Sequence, residues 1–316
     1  MADSIKTSPI KTSLDQLTTE ARNPLTEELD RLSALEIVNL INSEDAKVAC
    51  AVGEESESIA SAIEVIADRL SRGGRLIYMG AGTSGRLGVL DAVECPPTFN
   101  TEPELVIGLI AGGPEGLLRA VEGAEDSKEM GRKDLQELEL SDLDVVVGIA
   151  ASGRTPYVKG GLDYARKTGA FAIGFSCNRD AEIIQHADLS IIPVVGPEVL
   201  SGSTRLKAGT ATKMVLNMLT TGAMVRMGKT YSNLMVDVQT TNEKLVERAA
   251  GIVESLTGCT RTEARELLKC CDGELKTAVV SKNLGLSADV SRDRLRSVNG
   301  HLRQALESTP SSGKEL

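Results

Sequence analysis

The sequence of 316 residues predicts an α/β fold: a five-stranded parallel sheet sandwiched by helices, with helices before it and a small all-helical module after it. Short apolar runs alternate with helix-length segments, which is typical of βαβ units. Each run is continuously apolar rather than alternating, which indicates strands covered by helices on both faces. The predicted strands are Arg75–Met79, Leu105–Ile110, Asp144–Ile149, Phe171–Phe175 and Leu189–Val195.

Helical periodicity brackets the predicted sheet. Apolar residues recur at helical spacing from Pro24 to Val52, and Ser56 is predicted to cap a further helix. After the last strand, residues 205–227 read as one long helix whose methionines suit a packed interface. The predicted organisation is a flexible N-terminus (1–16), N-terminal helices (17–56), the sheet domain (57–240), a helical module (241–306) and a flexible tail (307–316).

The helical module carries its own local signals. Thr260 is followed three residues later by Glu263, which is the spacing of a capping box, and Gly273 is predicted to end that helix. The periodicity then predicts helices over residues 274–282 and 287–306.

Composition excludes several classes of partner. The net charge of −10 and the isoelectric point near 5.0 make the average surface repel nucleic acid and anionic lipid. Aromatic residues make up only 2%, so a small polar ligand is favoured over stacked bases. No apolar run reaches the roughly 18 residues of a membrane span, and the N-terminus lacks the apolar core of a signal peptide. Six cysteines are too few for a disulfide framework, so we expect a cytoplasmic protein.

A glycine-rich loop follows the first predicted strand. The string GAGTSGR (80–86) fits G-x-G-x-x-G and opens the next helix, so its backbone N–H groups would face an anion. A dinucleotide site would also need an acidic residue at the end of the second strand, which ends instead in Ile110-Ala111-Gly112-Gly113. The candidate phosphate-binding residues here are Gly82, Thr83 and Ser84, with Arg86 a lesser candidate.

Two further polar loops are predicted at the same edge of the sheet. The string ASGRT (151–155) repeats the Ser-Gly-Arg of the first loop, and together the two loops could surround a phosphate monoester. The stretch from Glu198 to Lys207 offers further donors and a cation, although a helix-capping role is equally compatible with it. The additional candidates for binding substrate or phosphate are Ser152, Gly153, Arg154, Thr155, Glu198 and Lys207.

These loops resemble the phosphosugar-binding loops of sugar-isomerase (SIS) domains over roughly residues 57–220. Four longer strings resemble the N-acetylmuramic acid 6-phosphate etherase family, and the resemblance extends from about residue 17 to residue 303. They are LTTEARNP (17–24), DAVECPPTF (91–99), AVEGAEDS (120–127) and YSNLMVDVQTTNEKL (231–245).

The resemblance implies a carbon–oxygen lyase that removes D-lactate from N-acetylmuramic acid 6-phosphate and leaves N-acetylglucosamine 6-phosphate. It implies Glu94 as the proton donor to lactate and Glu125 as the base that removes the C2 proton. It further implies a phosphosugar as the bound ligand, no cofactor, a homodimer, and a C-terminal module similar to ubiquitin-associated three-helix domains.

Alternatives stay open at this point. Spacing alone does not select Glu125 over Glu122 or Asp126, and we expect Pro96 and Pro97 to stop the helix that carries Glu94. The two histidines lie far apart outside any metal motif, so no metal is predicted. An aldose–ketose phosphosugar isomerase or a non-catalytic phosphosugar-binding regulator would share the phosphate loops, whereas the two glutamates in their motifs favour the lyase.

Overall fold

The computed structural model describes residues 17–119, 121–238 and 243–307, and its centre is one parallel sheet. The strands are joined in the spatial order β2-β1-β3-β4-β5, and every pairing is parallel. The predicted sheet is therefore confirmed, although its last strand is shorter than expected. The strands are β1 (Leu76–Gly80), β2 (Val106–Ile110), β3 (Val145–Ile149), β4 (Phe171–Phe175) and β5 (Leu189–Ile191).

Helices cover both faces of this sheet. The helices as far as the end of the sheet domain are α1 (Ala34–Asp45), α2 (Val48–Gly53), α3 (Ser56–Ser71), α4 (Gly82–Phe99), α5 (Gly113–Leu118), α6 (Lys128–Glu137), α7 (Pro156–Thr168) and α8 (Lys207–Arg226). Successive side chains of a strand point to opposite faces. Accordingly Leu76 and Tyr78 pack with α3, α4 and α8, whereas Ile77 and Met79 pack with α6 and α7.

The N-terminal region is more broken than its apolar spacing predicts. Two turns of 3-10 helix, Pro24–Thr26 and Leu29–Arg31, precede α1. Ser33 forms a capping box with Glu36, because each supplies an oxygen to the other's backbone N–H, and α1 therefore begins at residue 34. The expectation that Ser56 caps a helix is wrong by one position: α3 begins at this serine, and the preceding residue forms no side-chain cap.

Helix α4 continues through its two prolines, so the expectation that Pro96 stops the helix is wrong. The helix runs to Phe99 and ends where Asn100 takes a left-handed backbone conformation, φ 50°. Prolines remove backbone donors and crowd the preceding turn, but here they fall in the last turn, where few helical hydrogen bonds follow. The Cys95 thiol donates to the carbonyl oxygen of Asp91 at 3.4 Å, and Phe99 is buried in the core.

The C-terminal helices have a separate apolar core. A small antiparallel hairpin, β6 (Thr230–Tyr231) and β7 (Leu234–Met235), leads into it. Its helices are α9 (Glu243–Thr257), α10 (Arg261–Cys270), α11 (Leu275–Leu284), α12 (Ala288–Ser297) and α13 (Leu302–Glu307). This core includes Val236 and Val238, which precede the predicted module boundary at residues 240–241.

Local signals in this module are mostly confirmed. The Thr260–Glu263 capping box is present at the start of α10. The single helix expected over residues 287–306 is wrong, because Asn299 and Gly300 take left-handed conformations and separate α12 from α13. Within the described residues, no helix is both long and apolar enough to cross a membrane.

Candidate active site

The candidate site lies at the carboxyl edge of the sheet, between β1 and β3. The chain leaves β1 for β2 on one side, and β3 is the neighbour on the other side. The loops after β1 and β3 therefore diverge and leave a crevice, which is where open α/β sheets bind ligands. The structure thus brings together the two loops that the sequence selected.

The first loop leads directly into α4. Gly82 has a positive φ of 53°, and Thr83 and Ser84 occupy the first turn of the helix, half-buried. A Cβ on Gly85 would lie 2.6 Å from the carbonyl oxygen of Gly80, so only glycine allows this close packing of helix on strand. No side chain caps α4, which leaves its first N–H groups available to an anion.

Arg86, the lesser phosphate candidate, lines this edge of the site but is bonded to backbone carbonyl groups. Its guanidinium donates to the carbonyl oxygens of Gly116 and Leu117, both at 2.8 Å. These two bonds tie α4 to the end of α5. The guanidinium therefore positions the helix that carries Thr83 and Ser84.

The second loop connects β3 to α7. Gly153 has φ 73°, and a Cβ there would lie 2.2 Å from the Cβ of Ala181, so the turn requires glycine. Ser152 and Thr155 are half-buried, and α7 begins at Pro156 without a side-chain cap. The start of α7 therefore lies at the crevice, although Pro156 has no N–H and the Tyr157 N–H donates to the carbonyl oxygen of Glu125.

Arg154 is held by an acidic partner. Its Nε lies 3.1 Å from Glu182 Oε1, and Lys159 Nζ lies 2.6 Å from the other oxygen of that carboxylate. The Lys159 hydrogen bond, aided by the charge of Arg154, lowers the pKa of Glu182 below its ordinary value. The guanidinium is therefore fixed in place beside the loop.

Glu198 and Lys207 are buried and fully engaged with protein groups. The two carboxylate oxygens of Glu198 accept the backbone N–H groups of Lys207 at 2.9 Å and Ala208 at 3.0 Å, so this side chain caps α8. Lys207 Nζ lies 2.7 Å from Glu44 Oε2 of α1, and both side chains are almost entirely buried. These contacts give both residues a structural role, and their contact with substrate stays a prediction.

Glu44 is a residue that sequence reasoning missed. Burial alone would raise the pKa of Glu44, but hydrogen bonds from Lys207 and Lys47 outweigh it and lower the pKa to about 2. The only local signal was the spacing of Glu44 and Lys47, which is common on solvated helices. The partner that decides its burial lies 163 positions away in the sequence.

Glu125 lies beside the first loop. It is exposed, and its backbone carbonyl accepts the N–H of Tyr157 in the first turn of α7 at 3.0 Å. A cavity of about 330 Å³ is lined by Gly82 of the first loop and by both Glu122 and Glu125. Asp126 does not line this cavity.

Glu94 lies apart from the loops of its own chain. It is exposed on α4, twelve residues after Gly82, and a rise of about 1.5 Å per residue places it about 18 Å along the helix from the first loop. Leu90, one helical turn before Glu94, and Val93, directly before it, expose 50% and 59% of their surface. The predicted proton donor therefore has exposed apolar neighbours on α4.

Comparisons with known families agree with this architecture. Models described as the glucokinase regulatory protein N-terminal SIS domain and as the SIS domain match residues 58–166 and 127–222. The model described as the C-terminal lid domain of glucokinase regulatory protein matches residues 232–292. The chain is thus a SIS-domain protein with an appended helical module.

Relatives that align over nearly the whole chain define the family within this class. An N-acetylmuramic acid 6-phosphate etherase of Rhodopirellula baltica is 60% identical over 298 residues, covering 94% of this chain and 98% of the relative. One of Yersinia pestis is 57% identical over 294 residues, covering 93% and 100%. The chain belongs to the N-acetylmuramic acid 6-phosphate etherase family.

Proposed function

We propose that this protein cleaves the lactyl ether of N-acetylmuramic acid 6-phosphate, yielding N-acetylglucosamine 6-phosphate and D-lactate. Two observations together support the proposal. The chain is 60% identical to an etherase over 94% of its length, and two helices without side-chain caps begin beside hydroxyl-bearing residues on either side of one crevice. Such a crevice suits a phosphate monoester.

The phosphate group binds between the two loops in this proposal. Backbone N–H groups at the start of α4 and in the loop before α7 donate to its oxygens, and both helix dipoles favour its negative charge. Gly82 and Gly153 let the backbone approach closely. The side chains proposed to complete the phosphate site are Thr83, Ser84, Ser152, Arg154 and Thr155.

The chemistry requires one group to remove a proton and one to supply a proton. In the open-chain aldehyde the C2 hydrogen is acidic because it lies next to the carbonyl, and the C3 ether oxygen is a leaving group once that proton is removed. The C2–H electron pair forms the C2–C3 double bond, the C3–O bond breaks, and the lactate oxygen takes up a proton. Water then adds its oxygen at C3, and a proton returns to C2.

Glu125 acts as the C2 base in this scheme. It lines the same cavity as Gly82, and its backbone contacts the first turn of α7, so its side chain can reach a sugar whose phosphate lies between the loops. Glu122 lines the cavity too and is the alternative base. The motif resemblance favours Glu125.

Glu94 protonates the leaving lactate, and we propose that it serves the site of a second copy of the chain. C2 and C3 belong to the same sugar as the 6-phosphate, whose span is well short of the roughly 18 Å between Gly82 and Glu94. A single chain therefore does not bring this acid to its own substrate. A homodimer with α4 at its interface would bring Glu94 of one chain to the substrate of the other.

Exposed apolar side chains support this interface. Leu90 and Val93 precede Glu94 on α4, while Met218 and Val225 of the adjacent α8 expose 40% and 47% of their surface. Exposed apolar side chains on neighbouring helices are typical of association surfaces. We place the homodimer in the cytoplasm, because the six cysteines, all among the described residues, are free thiols.

The reaction is tested by incubating the protein with N-acetylmuramic acid 6-phosphate in ¹⁸O-labelled water. We expect D-lactate without the label and N-acetylglucosamine 6-phosphate with the label at C3. Glu94→Gln and Glu125→Gln should each lower turnover by about a hundredfold or more without loss of fold. In deuterated water, the Glu94 variant should still exchange the C2 hydrogen, whereas the Glu125 variant should not.

Each contrary result has a definite meaning. Binding of the sugar phosphate without lactate release would indicate a regulator, and aldose–ketose interconversion with the ether intact would indicate an isomerase. Normal turnover in either variant would remove that glutamate from the mechanism. Loss of exchange in Glu122→Gln but not in Glu125→Gln would make Glu122 the base.

A further inference from the structure

The segment before the first helix is anchored to the carboxyl edge of the sheet. The backbone N–H of Thr19 donates to Asn178 Oδ1 at 3.3 Å, and Asn178 Nδ2 donates to Thr19 Oγ1 at 3.1 Å. Both residues are almost fully buried. We call residues 17–26 the N-terminal strap, which contains the whole LTTEARNP string.

The same asparagine connects this strap to the second phosphate loop. Asn178 Nδ2 also donates to the carbonyl oxygen of Ala151 at 2.9 Å, immediately before Ser152. Further along the strap, Asn23 Nδ2 lies 3.0 Å from Glu44 Oε2 and 3.4 Å from the carbonyl oxygen of Pro197. The strap is thus held at both ends against elements that form the site.

Glu20 lies between these two anchors and reaches the segment that leads into α8. Its Oε2 lies 3.2 Å from the position that a Cβ on Gly202 would occupy, and Gly202 has φ 76°. The start of α8 in turn borders the first loop, since a Cβ on Gly209 would lie 3.7 Å from Thr83 Cγ2. The carboxylate therefore lies beside the segment that leads into α8, at the carboxyl edge of the sheet.

The side chain of Glu20 has no structural task that would account for its position. It is half-buried, and within the described ranges no hydrogen bond or ion pair is formed by its carboxylate. Glu198, another acid of this edge, uses both oxygens to cap α8. A carboxylate that protein groups leave without a partner keeps both oxygens available to accept hydrogen bonds from a ligand.

We propose that Glu20 binds a hydroxyl group of the sugar, an assignment that rests on the function proposed above. A carboxylate accepts hydrogen bonds from hydroxyl groups and repels other anions. Glu20 therefore faces the hydroxyl side of the substrate rather than its phosphate or lactyl carboxylate. Thr19 and Asn178 are positioning residues that hold the strap and the Ser152 loop in register.

The test compares Glu20→Ala and Glu20→Gln with Glu27→Ala, a matched control that removes an exposed acid just after the strap. For Glu20→Ala we expect kcat/KM for N-acetylmuramic acid 6-phosphate to fall about tenfold to a hundredfold, mainly through KM. Glu20→Gln should recover part of this loss because the amide oxygen still accepts. The control should match the unaltered protein.

Inhibition by inorganic phosphate separates substrate contact from displacement of the strap. If Glu20 binds a hydroxyl group, inorganic phosphate should inhibit the Glu20 variants as strongly as it inhibits the unaltered protein. Inhibition of the variants by the product, N-acetylglucosamine 6-phosphate, should be weaker. An unchanged KM in Glu20→Ala would overturn the assignment, and so would equal weakening of phosphate and product inhibition. Absence of lactate release from the unaltered protein would instead contradict the proposed function, so the two failures are distinguishable.

Discussion

At the scale of single residues, the buried ion pair between Glu44 and Lys207 is the contact most sensitive to substitution. It joins α1 to the first residue of α8, and both side chains are withdrawn from water. Removal of one partner from such a pair leaves an uncompensated buried charge, which costs far more than the net contribution of the intact pair. The lysine that sequence analysis assigned to substrate is thus tied first to the fold.

We expect Glu44→Gln to lower the free energy of unfolding by about 3–5 kcal/mol near neutral pH. The pKa of Glu44 falls on folding from 4.5 to about 2, so the ionised carboxylate contributes stability above 4.5 and loses that contribution as the pH falls towards 2. The difference in unfolding free energy between the variant and the unaltered protein should therefore become smaller as the pH falls over this range. Denaturant unfolding at several pH values measures this difference.

A matched control for this prediction is Asp68→Asn, which breaks an ion pair with Arg72 exposed on both sides. That change should cost less than about 1 kcal/mol. A deficit in Glu44→Gln that is equally small, or that widens as the pH falls, would contradict the role assigned to the buried pair.

At the scale of elements, α8 depends on a cap supplied from outside the helix. Neither Ser203 nor Thr204 caps it, although both hydroxyl residues lie just upstream; Glu198 does so with both oxygens. Since the first turn of α8 borders Thr83, this cap also positions one side of the crevice. A structural carboxylate and a substrate-binding carboxylate look alike in sequence.

Glu198→Gln should lower the unfolding free energy by about 1–2 kcal/mol, because the amide presents a donor to one of the two N–H groups that the carboxylate accepted. Thermal unfolding measures this loss. Glu57→Gln is the control, since it removes an exposed acid from the first turn of α3. If Glu198 acts only on substrate, its variant would melt like the control and lose activity alone.

At the scale of the whole molecule, the distance from Glu94 to the loops after β1 and β3 is the reason that the proposed mechanism includes association of two chains. Within one chain the predicted base lines the crevice and the predicted acid does not. In a two-fold dimer the same residue pair meets twice, once in each site. The catalytic unit is then the dimer rather than the chain.

Mixing the two inactive variants tests this arrangement directly. When equal amounts of Glu94→Gln and Glu125→Gln chains are unfolded together and refolded, half of the dimers should be mixed, and each mixed dimer should contain one intact site. We therefore expect about a quarter of the unaltered activity to return. If both glutamates act within one chain, every site stays defective and no activity returns. Each variant refolded alone is the control.

Sequence by itself determined the sheet, the glycine-containing loops at its carboxyl edge and the family. Apolar strands, glycine turns and capping boxes such as that of Thr260 and Glu263 are local patterns. Such patterns can be recognised in the sequence without knowledge of the fold. The tertiary structure alone decided that Glu198 caps α8, that Lys207 meets Glu44 and that Glu94 lies far from its own loops. Those facts depend on contacts between distant segments, whose packing no local spacing encodes.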